Sequence, residues 1–187
     1  MLAALLLIAA AGLYAQDAVC IDSVDAGIRG NIPLGSYAEY TTAGFGCETA
    51  LNFKTDIIPG LNAGANLSWQ WILPKTGRIN MLQDLSASIT VGYRFYLDDE
   101  MHLSLNPSAA YGWLCHLAEG DMNSDGTATF EAFSDQFAAF KFQLAFDLDD
   151  SLALYISPGY LFFFEGDRSM EKQGQEIILE LGSRFYI

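Results

Sequence analysis

The chain has 187 residues, which suits a single domain, and 51% of them are apolar while only 17% are charged. Its formal net charge of -14 excludes nucleic acid and anionic membrane surfaces as natural partners. The three cysteines, Cys20, Cys47 and Cys115, have no metal-binding spacing.

The chain begins with MLAALLLIAAAGLYAQ, a short apolar stretch that ends in small residues. Such a stretch is too short to cross a bilayer comfortably and is typical of a secretory signal. We predict a signal peptide over residues 1–16 and one mature domain over residues 17–187. Because no Lys or Arg precedes the stretch, a buried helix is the alternative.

From about Val24 onward, apolar and polar residues alternate with a period of two, which is typical of strands. The longest run extends from Asp84 to Leu97, and a helix would hardly produce it. The alternation predicts eight strands, near residues 25–34, 43–54, 61–71, 84–97, 101–117, 138–148, 152–164 and 176–187.

The connections between these strands alternate in length. The short ones lie at 54–60, 98–100 and 149–151, and the longer ones lie near 35–41, 73–81, 118–133 and 165–175. This order predicts an all-β fold, an antiparallel up-and-down barrel of eight strands with both termini on the short-turn side.

Composition indicates which face of the barrel is outside. The polar face consists mainly of Gly, Ser, Ala and Asn, which would make a poor solvent surface but suits a narrow lumen. Aromatic residues of the apolar face form two bands near the strand ends, which match the interfacial girdles of membrane barrels. We therefore predict a transmembrane barrel. A soluble ligand-binding barrel, with the two faces exchanged, is the alternative.

Several charged residues fall on the predicted lumen face. Arg29, Glu48, Lys141 and Glu180 are expected to form a mid-barrel group. A second set near the short-turn end comprises Asp25, Lys54, Arg94, His102, Asp147 and Arg184. Because an eight-stranded barrel is filled by its side chains, we predict that these charges pair and close the pore. Separate charges solvated by lumen water are the alternative.

The strand pattern, the signal sequence, the short turns and the aromatic-rich last strand resemble the small bacterial outer-membrane barrels: the OmpA transmembrane domain, OmpX, OmpW and the opacity proteins. The resemblance implies location in the bacterial outer membrane, with membrane lipid and the barrel-assembly machinery as partners. It also implies that Phe185, Tyr186 and Ile187 serve as the C-terminal assembly signal, although Ile187 stands where the family usually has Phe.

The connection near 118–133 contains a candidate metal site. Asp121, Asn123 and Asp125, with Glu131 beyond them, resemble the start of an EF-hand calcium loop. Glu131 comes one position early and no helices flank the loop, so a solvated acidic turn is the alternative. We predict no other cofactor.

The two histidines raise the question of a lipid-modifying barrel enzyme. Both His102 and His116 are predicted to face the lumen, whereas a site acting on acyl chains needs its His and Ser on the lipid face. A rim site joining His116 to Ser104 or Ser108 would use serines that lie deeper in the strand. We therefore predict a protein that is not an enzyme.

The predicted function is that of a surface protein whose barrel anchors four exposed loops for contact with the environment or a host. The long acidic third and fourth loops would carry any recognition. The first alternative is a narrow conduit for small or apolar solutes, as the OmpW-type relatives suggest, and the second is a lipid-modifying enzyme.

Overall fold

The computed structural model describes residues 19–55, 57–75, 79–98, 102–122, 128–164 and 174–187. The predicted signal peptide lies outside these residues. The described elements, in chain order, are β1 (Val19–Gly35), α1 (Tyr37–Tyr40), β2 (Thr41–Thr55), β3 (Leu61–Pro74), β4 (Ile79–Tyr93), β5 (Phe95–Asp98), β6 (Leu103–Met122), β7 (Ala128–Asp149), β8 (Leu152–Phe164) and β9 (Gly174–Tyr186).

Successive strands pair antiparallel, and β1 also pairs with β9, so the sheet closes into a ring. Strands β4 and β5 are two parts of one strand, because both pair with β6 on either side of Arg94. The ring therefore has eight strands when β4 and β5 are counted as one, and we call these eight strands staves. The predicted up-and-down barrel is confirmed. In the described part of the chain, no helix is long and apolar enough to cross a membrane.

The two faces of the strands are those expected of a membrane barrel. Ile28 on the outward face is 67% exposed, whereas the adjacent Arg29 is 4% exposed and lies in the lumen. The same alternation continues around the ring, where Leu67 and Ile89 are each 60% exposed. Apolar side chains thus cover the outside, and a two-residue period fixes which residues they are.

The outward face provides a direct test of this orientation. Replacing Ile89 by arginine should lower the free energy of unfolding by about 2–4 kcal/mol, because the guanidinium would enter the hydrocarbon. The matched control is Ile57→Arg, because Ile57 is exposed in the β2–β3 turn. Urea titration of both variants in lipid vesicles measures the difference. Equal stability of the two variants would place Ile89 outside the membrane band.

The predicted loop at 118–133 is wrong in extent. Strands β6 and β7 remain paired past Leu117↔Ala132 and Glu119↔Phe130, so only residues 123–127 fall outside the described hairpin. A hairpin in water has no need of an apolar face, since its backbone hydrogen bonds continue without one. The sequence signal that we used therefore ended before the strands did.

Candidate functional site

The mid-barrel charges contact one another directly. Arg29 Nη1 lies 3.0 Å from Glu48 Oε2, and Lys141 Nζ lies 2.5 Å from Glu48 Oε1 and 2.7 Å from Glu180 Oε1. All four side chains are more than nine-tenths buried. Lys141 reaches these acids across the lumen from β7, while the other three side chains come from β1, β2 and β9. Two bases and two acids thus form one buried layer.

A second layer lies toward the short-turn end. Arg184 donates from Nε and Nη2 to the two oxygens of Asp25, each at 2.7 Å. Gln143 completes the group, since its Oε1 accepts from Arg184 Nη2 at 2.7 Å and its Nε2 donates to Asp25 at 3.1 Å. This fork-to-fork pairing is the strongest geometry that an arginine and a carboxylate can adopt.

The other predicted members of the short-turn set do not join this layer. Arg94 and Lys54 contact Asp22, at 2.9 and 3.4 Å, while Asp147 accepts a hydrogen bond from the Tyr186 hydroxyl at 2.7 Å. His102 was predicted to face the lumen, but it is exposed in the turn before β6 with a φ of 52°. The single predicted cluster is therefore several smaller contacts.

Sequence reasoning missed Asp22 because of a β-bulge. Ile21 pairs with Phe53 but Ser23 pairs with Asn52, so Asp22 is an extra residue in β1. Strict alternation would put Asp22 outward beside Val24, whereas the bulge turns Asp22 and Ser23 both into the lumen. The available signal was the acid itself, since an aspartate facing lipid is unfavourable.

A third polar group lies toward the long-loop end and was also missed. His116 Nδ1 is 2.7 Å from Asp84 Oδ1, and its Nε2 is 3.4 Å from Asp135 Oδ2. Nearby, Asn31 donates to Glu176 Oε1 at 2.6 Å. His116 faces the lumen as predicted. Ser108 is eight residues away along the same strand, or about 26 Å, so the structure does not assemble the suggested rim site.

The outer part of the lumen also holds apolar clusters beside the His116 group, whereas the sequence predicted a lumen face mainly of small and polar residues. Ala110, Leu114, Phe137, Ala139, Leu161 and Phe163 form one buried cluster, and Ile72, Leu82 and Ala118 form another. The two-residue period predicts that most of these residues face the lumen, but it does not predict that they pack together. Phe133 on β7 packs against the second cluster, and the loop between β1 and β2 packs against the first.

That loop carries Tyr37 on α1. The Tyr37 ring packs edge-on against Phe163 at 5.3 Å between centroids, and its hydroxyl donates to Asp84 at 3.4 Å. Burial and the neighbouring Asp84 carboxylate raise the pKa of Tyr37 well above its ordinary value, so the phenol stays protonated. Lys75 holds the helix in place by donating from Nζ to the Ala38 carbonyl at 2.6 Å.

One small polar space separates the two deeper charged layers. Its volume is about 40 Å³, and it is lined by Asn66, Asn106, Lys141 and Arg184 among others. Such a polar space is large enough to hold water. In the described part of the barrel, side chains thus occupy the interior at three levels: the two charged layers and, toward the long loops, the His116 group with the apolar cluster under Tyr37.

The predicted assembly signal lies at the barrel seam. Phe185 faces outward, and Tyr186 donates from its backbone amide to the Ser151 carbonyl at 2.9 Å. The Ile187 amide donates to the Asp22 carbonyl at 3.1 Å, while its side chain is exposed. Recognition by the assembly machinery stays a prediction.

The predicted calcium loop falls largely outside the described residues. Asn123 and Asp125 lie there, while Asp121 belongs to the end of β6 and Glu131 is exposed on β7. The described residues contain no group of three or more acidic, histidine or cysteine side chains that could hold a metal.

The sequence matches no protein-family model and no curated protein. Solved structures are similar in fold. Neisserial surface protein A (NspA) aligns with a TM-score of 0.62 at 12% identity, over 91% of this chain and 100% of its own. Ail, the attachment invasion locus protein of Yersinia pestis, gives 0.57 at 13% identity, over 91% and 99%.

The outer-membrane protein OprG from Pseudomonas aeruginosa also gives a TM-score of 0.57, at 7% identity, over 91% of this chain and 96% of its own. At such identities the likeness concerns the fold. The chain has the fold of the small outer-membrane β-barrel proteins, as the sequence predicted. This fold and the apolar outer surface are those of a bacterial outer-membrane protein.

Proposed function

We propose that this outer-membrane barrel is a non-enzymatic anchor that presents its long connections at the cell surface, where they contact the environment or a host. The observation that carries the proposal is the contrast between a closed interior and one greatly extended hairpin. A barrel that conducts needs an open lumen, whereas a barrel that displays loops needs only a stable ring.

The interior supports anchoring over conduction. Lys141 and Arg184 each bridge groups from different staves, so a solute passing through the lumen would have to separate buried ion pairs. Separating such a pair leaves an uncompensated buried charge, at a cost of about 3–5 kcal/mol. The conduit predicted as the first alternative would require these side chains to move.

The β6–β7 hairpin supports display. Its strands have 20 and 22 residues; the adjoining β4–β5 stave (79–98) is as long as β6, and the other staves have 13 to 17 residues. About 9–11 tilted residues suffice to cross a membrane, so roughly half of this hairpin extends beyond it. The connection at 118–133 contains four acids and no Lys or Arg. A partner of positive charge would suit it.

The lipid-modifying alternative has little support from the site. His116 lies between two carboxylates inside the lumen, away from acyl chains, and Ser104 is buried in the lumen far along the same strand.

The second neighbour, Ail, has been crystallised with the heparin analogue sucrose octasulfate. The acidic third connection of this chain would repel such a polyanion, so we propose a different class of partner.

Planar-bilayer recording of the refolded full chain tests the closed barrel. We expect no stepwise conductance, because the ion pairs occupy the lumen. Reproducible channels would contradict the anchor and favour the conduit. Arg184→Ala is a matched comparison, since it removes one side chain of the short-turn layer, while the mid-barrel layer is left in place and should still keep the bilayer silent.

A second experiment tests the hairpin. Ala118 pairs with Glu131, so replacing residues 119–130 by Asn-Gly should close a shorter hairpin with a two-residue turn. Vesicles of uncharged lipid that carry this variant should adhere less to a poly-lysine surface than vesicles carrying the wild type. A charge-only variant (E119Q, D121N, D125N and E131Q) controls for length and should also adhere less. Unchanged adhesion of both would contradict a role for this hairpin.

A further inference from the structure

A three-residue arrangement on the outward surface is repeated around the barrel. In the β3–β4 hairpin, Trp69 and Trp71 are two positions apart on β3 and lie on the same face, with ring centroids 3.8 Å apart. Gln83 on β4 pairs directly with Trp71 and accepts a hydrogen bond at 3.0 Å from the indole Nε1 of Trp69. Two aromatic rings in contact and one carboxamide bonded to the first of them therefore form a single group.

The arrangement recurs in two further hairpins, as Tyr111, Trp113 and Gln136 in β6–β7 and as Tyr160, Phe162 and Gln175 in β8–β9. In both, the glutamine pairs directly with the second aromatic residue. In both, its Oε1 accepts from the hydroxyl of the first, at 2.5 and 2.6 Å. We call the three sets the aromatic–glutamine triplets. The hairpin formed by β1 and β2 has none.

The triplets lie at one height. Their first aromatic residue comes eight positions after the start of its strand in each case, counting from Leu61, Leu103 and Leu152. At about 3.3 Å per residue and a tilt near 40°, this places each triplet about 20–25 Å above the short-turn end. The apolar band of an outer-membrane barrel is about 25 Å tall, so the triplets lie at the outer headgroup level.

Hydrogen bonding orients each carboxamide. Because Oε1 already accepts from an indole or phenol, the two N–H donors of Nε2 point away from that ring. The Nε2 of Gln83 has Met81 Sδ at 3.5 Å, a weak acceptor. Each triplet thus places amide donors beside a pair of aromatic rings, in a position held by the strands.

Charge decides which headgroup suits these sites. The outward faces of the described strands carry no Lys or Arg, and the chain has a net charge of -14. Phosphate is usually bound by arginine or lysine, so the outward strand faces offer phosphate headgroups no charge-assisted hydrogen bond. A sugar ring can lay its C–H face on an aromatic ring and accept amide hydrogen bonds at its hydroxyls. We propose that the triplets bind uncharged sugar headgroups of outer-leaflet glycolipids.

The test uses the refolded full chain in phosphatidylcholine vesicles that contain a minor fraction of either a diglycosyl diacylglycerol or phosphatidylglycerol. Native mass spectrometry after detergent extraction counts the lipids that stay bound. We expect retention of the sugar lipid above phosphatidylcholine, and no such excess of phosphatidylglycerol. Loss of one hydrogen bond per site in Gln83→Leu, Gln136→Leu and Gln175→Leu should reduce retention about twofold to tenfold at each site.

The control is Ser151→Ala, which removes an exposed hydroxyl in the β7–β8 turn, at the end of the barrel opposite the triplets, and should retain the sugar lipid as the wild type does. Heat-modifiable migration verifies that each variant folds. The three substitutions are made singly and together, and if the combined variant does not fold, the single variants provide the same comparison. Undiminished retention by folded Gln→Leu variants, or equal enrichment of phosphatidylglycerol, overturns the proposal.

Discussion

Replacing Lys141 by methionine is expected to lower the free energy of unfolding by about 3–5 kcal/mol, because two buried acids would lose their common base. Lys141 Nζ contacts Glu48 at 2.5 Å and Glu180 at 2.7 Å, and both carboxylates are more than nine-tenths buried. Methionine nearly keeps the length of the side chain. The loss in free energy of unfolding therefore measures the removal of the charge and not the opening of a cavity.

Urea titration in lipid vesicles, followed by tryptophan fluorescence, measures this difference. Lys54→Met is the matched control, because the Lys54 side chain is 51% exposed and its pairing with Asp22 should contribute less than about 1 kcal/mol. Adding Glu180→Gln to Lys141→Met should recover part of the stability by removing one of the stranded acids. Equal losses in the two lysine variants would mean that the mid-barrel layer is hydrated and weak.

Replacing Gly182 by valine is expected to destabilise the barrel by about 3 kcal/mol or more, through overpacking at the seam where the ring closes. Gly182 pairs directly with Gly27 across β9 and β1. The Tyr155 hydroxyl lies over both glycines, 2.7 Å from where a Cβ on Gly27 would stand. A Cβ at Gly182 would also meet the carbonyl oxygen of Ala26, which the backbone cannot move without breaking the ladder.

Gly30→Val is the control for this variant. Gly30 lies on the outward face of β1, where an added Cβ would meet only the Gly44 carbonyl oxygen, at 4.0 Å. Valine there adds an apolar, strand-favouring side chain toward the lipid, so stability should be unchanged or slightly higher. The fraction of heat-modifiable, compact barrel after refolding measures both variants. A Gly182→Val chain that refolds as well as Gly30→Val would show that the seam can open.

The sequence alone determines the staves and their faces. Alternation with a period of two is a local property, and in a membrane barrel it is enforced on every strand because one face meets hydrocarbon. The side of each strand on which Arg29, Glu48, Lys141, Glu180 and Arg184 lie could therefore be predicted. The aromatic band at Trp69 and Trp113 follows from the same rule.

Only the tertiary structure decides which of these side chains meet. Lys141 reaches Glu48 and Glu180 across the lumen, a contact that depends on strand tilt and side-chain reach rather than on neighbouring staves. Arg184 meets Asp25 because the register of β9 against β1 pairs the two residues directly, and its planar fork then binds both carboxylate oxygens.

The remaining differences arise where the two-residue period is interrupted or no longer needed. The bulge at Asp22 shifts the inward–outward alternation of β1 by one residue. The loop that carries α1 has no such alternation, and it inserts Tyr37 into the lumen. The outer half of the β6–β7 hairpin lies beyond the hydrocarbon, so nothing selects an apolar face there. The sequence thus determines the ring, because lipid imposes one rule on every strand. The contacts inside the ring join distant residues, which that rule does not govern.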